Sequence, residues 1–403
     1  MSASRIDERQ VTDAAPLGPW NPGVRSRIPG RLLPLSTIFR TDSVFADVAR
    51  VRELRELTGL EFSELVTFRP RRLALHELLI RVTADVSVSD GSKYEDLGIN
   101  FRRIVSAIFD GYVAPDLPHI ESIYQDARET LAGVIAAEVR ALSGAGPPDV
   151  GPGRGLRAFF GRSASRPAAR AAGTDEEDRY LRAADEFETR ARAQVDEAQA
   201  AALRALARVL RALYGKVGQW RTAADLVQSV AVDLACNAYC SSQIGRRVAT
   251  HVEQAAQREG YRLLPARDPA IVMNTKGPSA SGKSTLRPLQ HALADRLGVN
   301  WSDFALISPD IWRKQLLDYA SLGPDHRYGG MLTGEELSII DRKLDRYVEH
   351  KAEQGRISHL LIDRFRFGSF VFQSDRADNR LLSRFGQEIY LSLIHISEPT
   401  RPY

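Results

Sequence analysis

Cysteine is nearly absent from this chain: two occur in 403 residues, Cys236 and Cys240. They stand four apart on an expected helix, and no second pair exists. This excludes a disulfide framework and a four-ligand zinc site, and two reduced thiols are expected. Long hydrophobic runs are missing too. No stretch approaches 18 consecutive apolar residues, so no membrane-spanning helix is expected. The first residues lack a basic segment followed by an apolar one, so no secretion signal is expected. Neither charge sign dominates. Lys and Arg number 55 against 51 Asp and Glu, a net charge of +4. For this length, that balance does not by itself argue for nucleic acid. The eight histidines are scattered without an H-x-x-x-H pair and read as ordinary surface or core residues. With 43% apolar and 26% charged residues, the composition fits a soluble intracellular protein of two or three domains and a cytoplasmic setting.

What is present is more specific. Gly277-Pro278-Ser279-Ala280-Ser281-Gly282-Lys283-Ser284-Thr285 matches G-x-x-x-x-G-K-[ST], the phosphate-binding P-loop. The apolar segment Ala270 to Asn274 precedes it and suits a buried parallel strand. Leu286, Leu289, Leu293 and Leu297 follow at helical spacing. In such a loop Gly277 and Gly282 let backbone N–H groups approach phosphate oxygens, and the helix N-terminus adds its positive dipole end. Lys283 would reach the β- and γ-phosphates, and the Ser284 hydroxyl would ligate Mg²⁺. ATP and Mg²⁺ are the expected cofactors.

The rest of the chain divides by composition. Residues 1–41 are proline-rich and read as an extended arm, and 42–143 as a helical domain. Asp42 or Ser43 is placed to cap a helix holding Val44, Val48, Val51 and Leu54. Residues 144–173 are rich in Gly, Pro and Arg. The segment Arg154 to Arg170 lacks acids and reads as a solvated linker, with contact to an anionic partner as the alternative. From Thr174 a long amphipathic helix runs to about Tyr214, and another helical stretch spans Thr222 to Gly260, so 174–264 reads as long helices or a hairpin. Residues 265–390 form the nucleotide domain. The expected fold class is an α/β P-loop NTPase domain, a parallel sheet with flanking helices, preceded by a mostly α-helical N-terminal region.

Two carboxylates stand at expected strand ends. Phe304 to Ile307 reads as a strand ending in Ser308-Pro309-Asp310 before a helix. His359 to Ile362 reads as a strand closing on Asp363, the shape of a Walker B element whose carboxylate helps hold Mg²⁺. Asp310 is the candidate base for a substrate hydroxyl, with a helix N-cap as its competing role. Arg313, Arg364 and Arg366 are candidate cations for the γ-phosphate, each weighed against an ordinary surface charge. Thr333 with Glu336 has the pattern of a capping box opening a helix that reaches about Gln354.

From Pro265 to Tyr390 this layout resembles the zeta-toxin-type kinases. The resemblance implies that Gly282, Lys283, Ser284 and Thr285 bind ATP and Mg²⁺. It implies that Asp310 is the base and that Asp363 lies near substrate and metal. The family phosphorylates a nucleotide-activated amino sugar. Here the third strand ends in Asp363-Arg364-Phe365, where the family often has a glutamate followed by small residues, which leaves the acceptor open. Leu391 to Arg401 match one translated frame of a widely used transposase sequencing adapter, so 391–403 are set outside the expected fold. The expectation is that the natural gene continues past Tyr390, that the phosphate-clamping arginines lie there, and that this chain is weakly active or inactive.

The leading expectation is therefore a phosphotransferase moving the γ-phosphate of ATP to a small molecule or nucleotide sugar. A polynucleotide or RNA kinase and a nucleotide-controlled ATPase switch are the alternatives. No Leu-Ser-Gly-Gly-Gln transporter signature occurs, which counts against an ATPase motor. Membrane and nucleic acid are not expected as partners. The helical region is left as a substrate-capturing domain, a self-inhibitory or antitoxin-like element, or an oligomerisation module.

Overall fold

The computed structural model describes residues 28–93, 95–144, 171–213, 224–276, 286–363 and 387–392. Its helical part comprises α1 (Val48–Thr58), α2 (Phe62–Leu65), α3 (Pro70–Asp85), α4 (Asp96–Ile108), α5 (Leu117–Gly144), α6 (Ala171–Ala193), α7 (Glu197–Leu213) and α8 (Ala224–Glu259). The α/β part follows: β1 (Ile271–Lys276), α9 (Arg287–Arg296), β2 (Phe304–Ile307), α10 (Arg313–Leu316), α11 (Gly329–Leu332), α12 (Gly334–Glu353), β3 (His359–Ile362) and β4 (Gln387–Ser392). A mostly helical N-terminal region thus precedes a small parallel sheet. No described helix is long and apolar enough to cross a membrane.

Local chemistry moves several helix boundaries from their expected places. Asp47, not Asp42 or Ser43, caps α1 by accepting from the Arg50 N–H at 2.9 Å. Val44 is outside that helix and bridges Phe68 in antiparallel fashion. The single helix expected from Thr174 is two, because Asp196 stops the run and caps α7. Its Oδ1 accepts from the Ala198 and Gln199 N–H groups at 2.8 and 3.1 Å. The first of the two, α6, already begins at Ala171. At the end of the expected arm, Gly30–Leu35 form a 3₁₀ turn, and Leu32, Ile38 and Phe39 are buried.

α3 and α5 pack against α7 and α8, so the two helical stretches share one apolar core. That core continues into the sheet through Val272, Leu306 and Leu361. Cys236 and Cys240 lie buried within it on α8 as free thiols. The same interface holds a buried ionic group. Arg81 Nη1 donates to Glu77 Oε2 at 2.5 Å, the Ser241 hydroxyl donates to Glu77 Oε1 at 2.6 Å, and Lys343 Nζ donates to the Ser241 hydroxyl at 2.8 Å. Gly245 on α8 makes room for this group. A Cβ there would stand 2.4 Å from Glu77 Oε2 and 2.6 Å from Arg81 Nη2. Gly245→Ala should therefore destabilise by about 1–3 kcal/mol through overpacking, although alanine suits a helix better by ~1 kcal/mol. A raised thermal midpoint in that variant would show that the ion pair yields without cost.

The sheet is parallel throughout, in the order β2-β3-β1-β4. Every residue of β2 and β3 is buried, as continuous apolar runs in a sheet covered on both faces require. The connection leaving β1 passes β3 to reach β2, and the connection leaving β3 passes β1 to reach β4. Neighbouring strands whose connections depart in opposite directions mark a switch point, where a crevice opens at the carboxyl ends. β4 runs past Tyr390, where the fold was expected to end, pairing Leu391 and Ser392 with Thr275 and Lys276.

Candidate functional site at the strand ends

Gly277 to Thr285, which carry the P-loop pattern, lie outside the described residues, as do Arg364 and Arg366. The elements on either side of the loop are described. β1 ends at Lys276 and α9 begins at Arg287, so the motif joins a strand to a helix. Within α9, Leu289 is exposed and does not belong to the buried stripe. Gln290 takes that place, 2% exposed, with its Nε2 donating to Thr275 Oγ1 at 2.8 Å. This bond ties the helix to the end of β1.

Beside α9, at the carboxyl ends of β2 and β3, opens a cavity of about 570 Å³. Ser308 and Asp310 reach it after β2, Asp363 after β3, and Arg287, Pro288 and His291 from α9. The Asp363 N–H donates to Ile307 O at 2.9 Å, which extends the ladder by one bond and sets that carboxylate next to the end of β2. The two sequence-predicted acids therefore line one cavity.

Asp310 is held by its neighbours. It lies in a 3₁₀ turn (Pro309–Trp312) that precedes α10, and it makes no side-chain cap. Arg313 Nε donates to Asp310 Oδ1 at 2.8 Å, and Arg313 Nη1 donates to Gly330 O at 2.6 Å and to Thr333 Oγ1 at 2.9 Å. Trp312 is fully buried, with Nε1 donating to Thr83 Oγ1 at 3.1 Å on α3. Arg313 thus links Asp310 to Gly330 and Thr333 and is not among the residues that line the cavity. Lys314, the next residue, lines the cavity in its place.

The expected capping box at Thr333 and Glu336 does not form. Both side chains are taken by longer-range partners. The Thr333 hydroxyl donates to Gly329 O at 2.9 Å and accepts from Arg313, while Glu336 is buried against Arg72 and His76.

The opposite wall comes from the helical region and was not legible as a site. Asp90, Lys93, Glu95 and Arg102 contribute to it. Asp90 is 9% exposed; Trp301 Nε1 donates to its Oδ1 at 3.2 Å, and His291 Nε2 lies 3.0 Å from its Oδ2. The His291 ring stacks on Trp301 with centroids 3.9 Å apart. Gly91 adopts φ +64°, and a Cβ there would strike Asp96, whose Oδ2 accepts from the Ser92 and Lys93 N–H groups at 2.9 Å. The only sequence signal was the turn dipeptide Asp90-Gly91; its placement over a strand end is tertiary.

The donors at the strand ends are carboxylates and a hydroxyl, the hard oxygen set that suits Mg²⁺. No group of three or more His, Cys, Asp or Glu able to hold a metal occurs among the described residues. Mg²⁺ commonly takes one or two carboxylates and completes its shell with water and substrate phosphates, so Asp363 with a P-loop hydroxyl is a fitting set. No family model, curated protein or solved structure matches this chain.

Proposed function

We propose that this chain is a P-loop phosphotransferase that moves the γ-phosphate of ATP to a hydroxyl of a small molecule or nucleotide sugar. The observation that carries this reading is the strand-end cavity, which Asp310 and Asp363 both line beside the helix that follows the P-loop motif. Phosphoryl transfer needs positioning and charge neutralisation more than covalent chemistry. Lys283 and the loop N–H groups hold the phosphates. Ser284 and Asp363 would hold Mg²⁺, which would supply charge neutralisation at the triphosphate. Asp310 accepts the proton of the acceptor hydroxyl. The cavity wall from Asp90 to Arg102 supports a substrate-capturing role for the helical region, with Lys93, Arg102 and Lys314 as cations for an anionic acceptor.

Lys283→Ala should weaken ATP binding by about 10- to 100-fold, the worth of a lost charge-assisted hydrogen bond of ~1.5–3 kcal/mol. Titration calorimetry with ATP and Mg²⁺ measures it, and an unchanged affinity would remove the triphosphate site from the P-loop. The bond from Trp312 to Thr83, together with those from Gln315 Nε2 to Arg102 O and to the Ser106 hydroxyl, ties the Asp310 turn to α3 and α4. That linkage favours one second reading, a nucleotide-controlled switch. ATP turnover that releases phosphate with no acceptor present would select it.

A further inference from the structure

A second cavity, of about 650 Å³, lies between α3, α7, α8 and α12 and shares no residue with the strand-end cavity. Seven Lys and Arg side chains line it against two carboxylates, Glu77 and Glu197. Three of the seven are neutralised: Arg81 by Glu77, Arg246 by Glu197, and Lys351 by Asp85. Arg204, Arg346 and Arg356 stand exposed at the rim and form no ion pair among the described residues. Lys343, 7% exposed, makes its hydrogen bond to a hydroxyl. Arg81, 6% exposed, keeps its Nε without a hydrogen-bond partner.

Helix dipoles do not account for this excess. His350 and Lys351 stand in the last turn of α12, where cations are favoured. Arg204 and Arg346 stand in the interiors of α7 and α12, where no such compensation exists. Burial depresses the pKa of Lys343 to about 8. Like charges gathered around a half-enclosed space destabilise the empty state, and a bound anion would relieve that repulsion. Tyr239 and Tyr347 add aromatic surface to the same wall.

We propose that this second cavity binds a small oligophosphate-type anion, either free or as the phosphate tail of a nucleotide, at a site separate from the P-loop.

The test uses the full chain carrying Lys283→Ala, so that binding at the P-loop is suppressed, and sodium tripolyphosphate as the probe in titration calorimetry. Saturable binding is expected. It should weaken at least about tenfold in Arg204→Gln and in Arg346→Gln, each the loss of a charge-assisted contact. Both arginines belong to solvent-reachable walls, and thermal melts of the two variants confirm that each remains folded. A nucleoside triphosphate that binds about tenfold tighter than tripolyphosphate identifies the nucleotide as the source, with its ring on the tyrosines. Equal affinities identify the free anion. No saturable binding, or binding indifferent to both arginine substitutions, overturns the proposal. A short single-stranded RNA that displaces tripolyphosphate at lower concentration also overturns it, because the site then belongs to a polymer. If ATP binding proves independent of Lys283, the P-loop reading fails while the arginine comparison still decides this one.

Discussion

Glu336→Ala is expected to lower the unfolding free energy by about 3–5 kcal/mol, the effect of deleting one partner from a buried ion pair. Glu336 has no exposed surface. Its Oε1 accepts from Arg72 Nε at 2.5 Å and its Oε2 from Arg72 Nη2 at 2.7 Å. His76 Nε2 lies 2.6 Å from Oε1 and must be the donor there, since a carboxylate only accepts. Removing the carboxylate leaves a guanidinium and an imidazole N–H in a dry interface between α3 and α12. Urea titration measures the loss as a shifted midpoint at constant slope. A shift worth less than about 1 kcal/mol would mean that water reaches Arg72 and that the pair is solvated.

The same cluster sets a pH dependence. Burial would raise the Glu336 carboxyl, but the Arg72 charge and the hydrogen bonds from Arg72 and His76 hold it well below the usual carboxylate range. Burial depresses His76 to about 4, against the bond to Glu336. With Arg72 already balancing Glu336, a second positive charge on His76 has no counterion. The unfolded chain therefore takes up a proton at His76 near its ordinary value of ~6.5, while the folded chain does so only near 4. Stability should be full above pH ~6.5 and fall steadily toward pH 4, with a further loss below the ordinary carboxylate value of ~4.3, where the unfolded chain protonates Glu336 and the fold does not. An unfolding midpoint that stays flat from pH 7.5 to 5 would show that His76 is already charged in the fold.

Glu336 also illustrates why parts of this chain mislead when read locally. Thr333 and Glu336 have the spacing of a capping box, yet each side chain is used across the fold, by Arg313 and by Arg72. Leu289 fits a leucine stripe, yet the buried position is Gln290, because Thr275 Oγ1 lies within its reach. Strands behaved differently. Phe304 to Ile307 is apolar at every position and Leu360 to Ile362 at every position after His359, both bounded by polar residues, so burial on both faces defines them almost without help from partners. The two strand-end acids were legible for the same reason. The wall made by Asp90, Lys93 and Arg102 was not, since only the packing of α3 and α4 against the Trp312 turn brings it there.

Asp310→Asn is expected to cut phosphoryl transfer by about 10²–10⁴-fold, the usual worth of a general base, while leaving ATP affinity within about twofold. Asp310 is the acid best placed for this role. Its side chain is 77% exposed at the cavity, so an acceptor hydroxyl can reach it. Arg313 takes Oδ1, and Oδ2 has no partner among the described residues. Asparagine keeps an oxygen for Arg313 and preserves the turn, but it cannot take a proton at pH 7. The substitution therefore separates chemistry from folding. Arg313→Lys supplies the second half of the test. If Arg313 acts as a strut, its loss should reduce transfer through misplacement of Asp310, and the penalties of the single and double variants should not add. Additive penalties would make Arg313 an independent contributor to charge neutralisation. Full transfer in Asp310→Asn would shift the proton to another acceptor at the cavity, and Asp363 would then be the residue to substitute next.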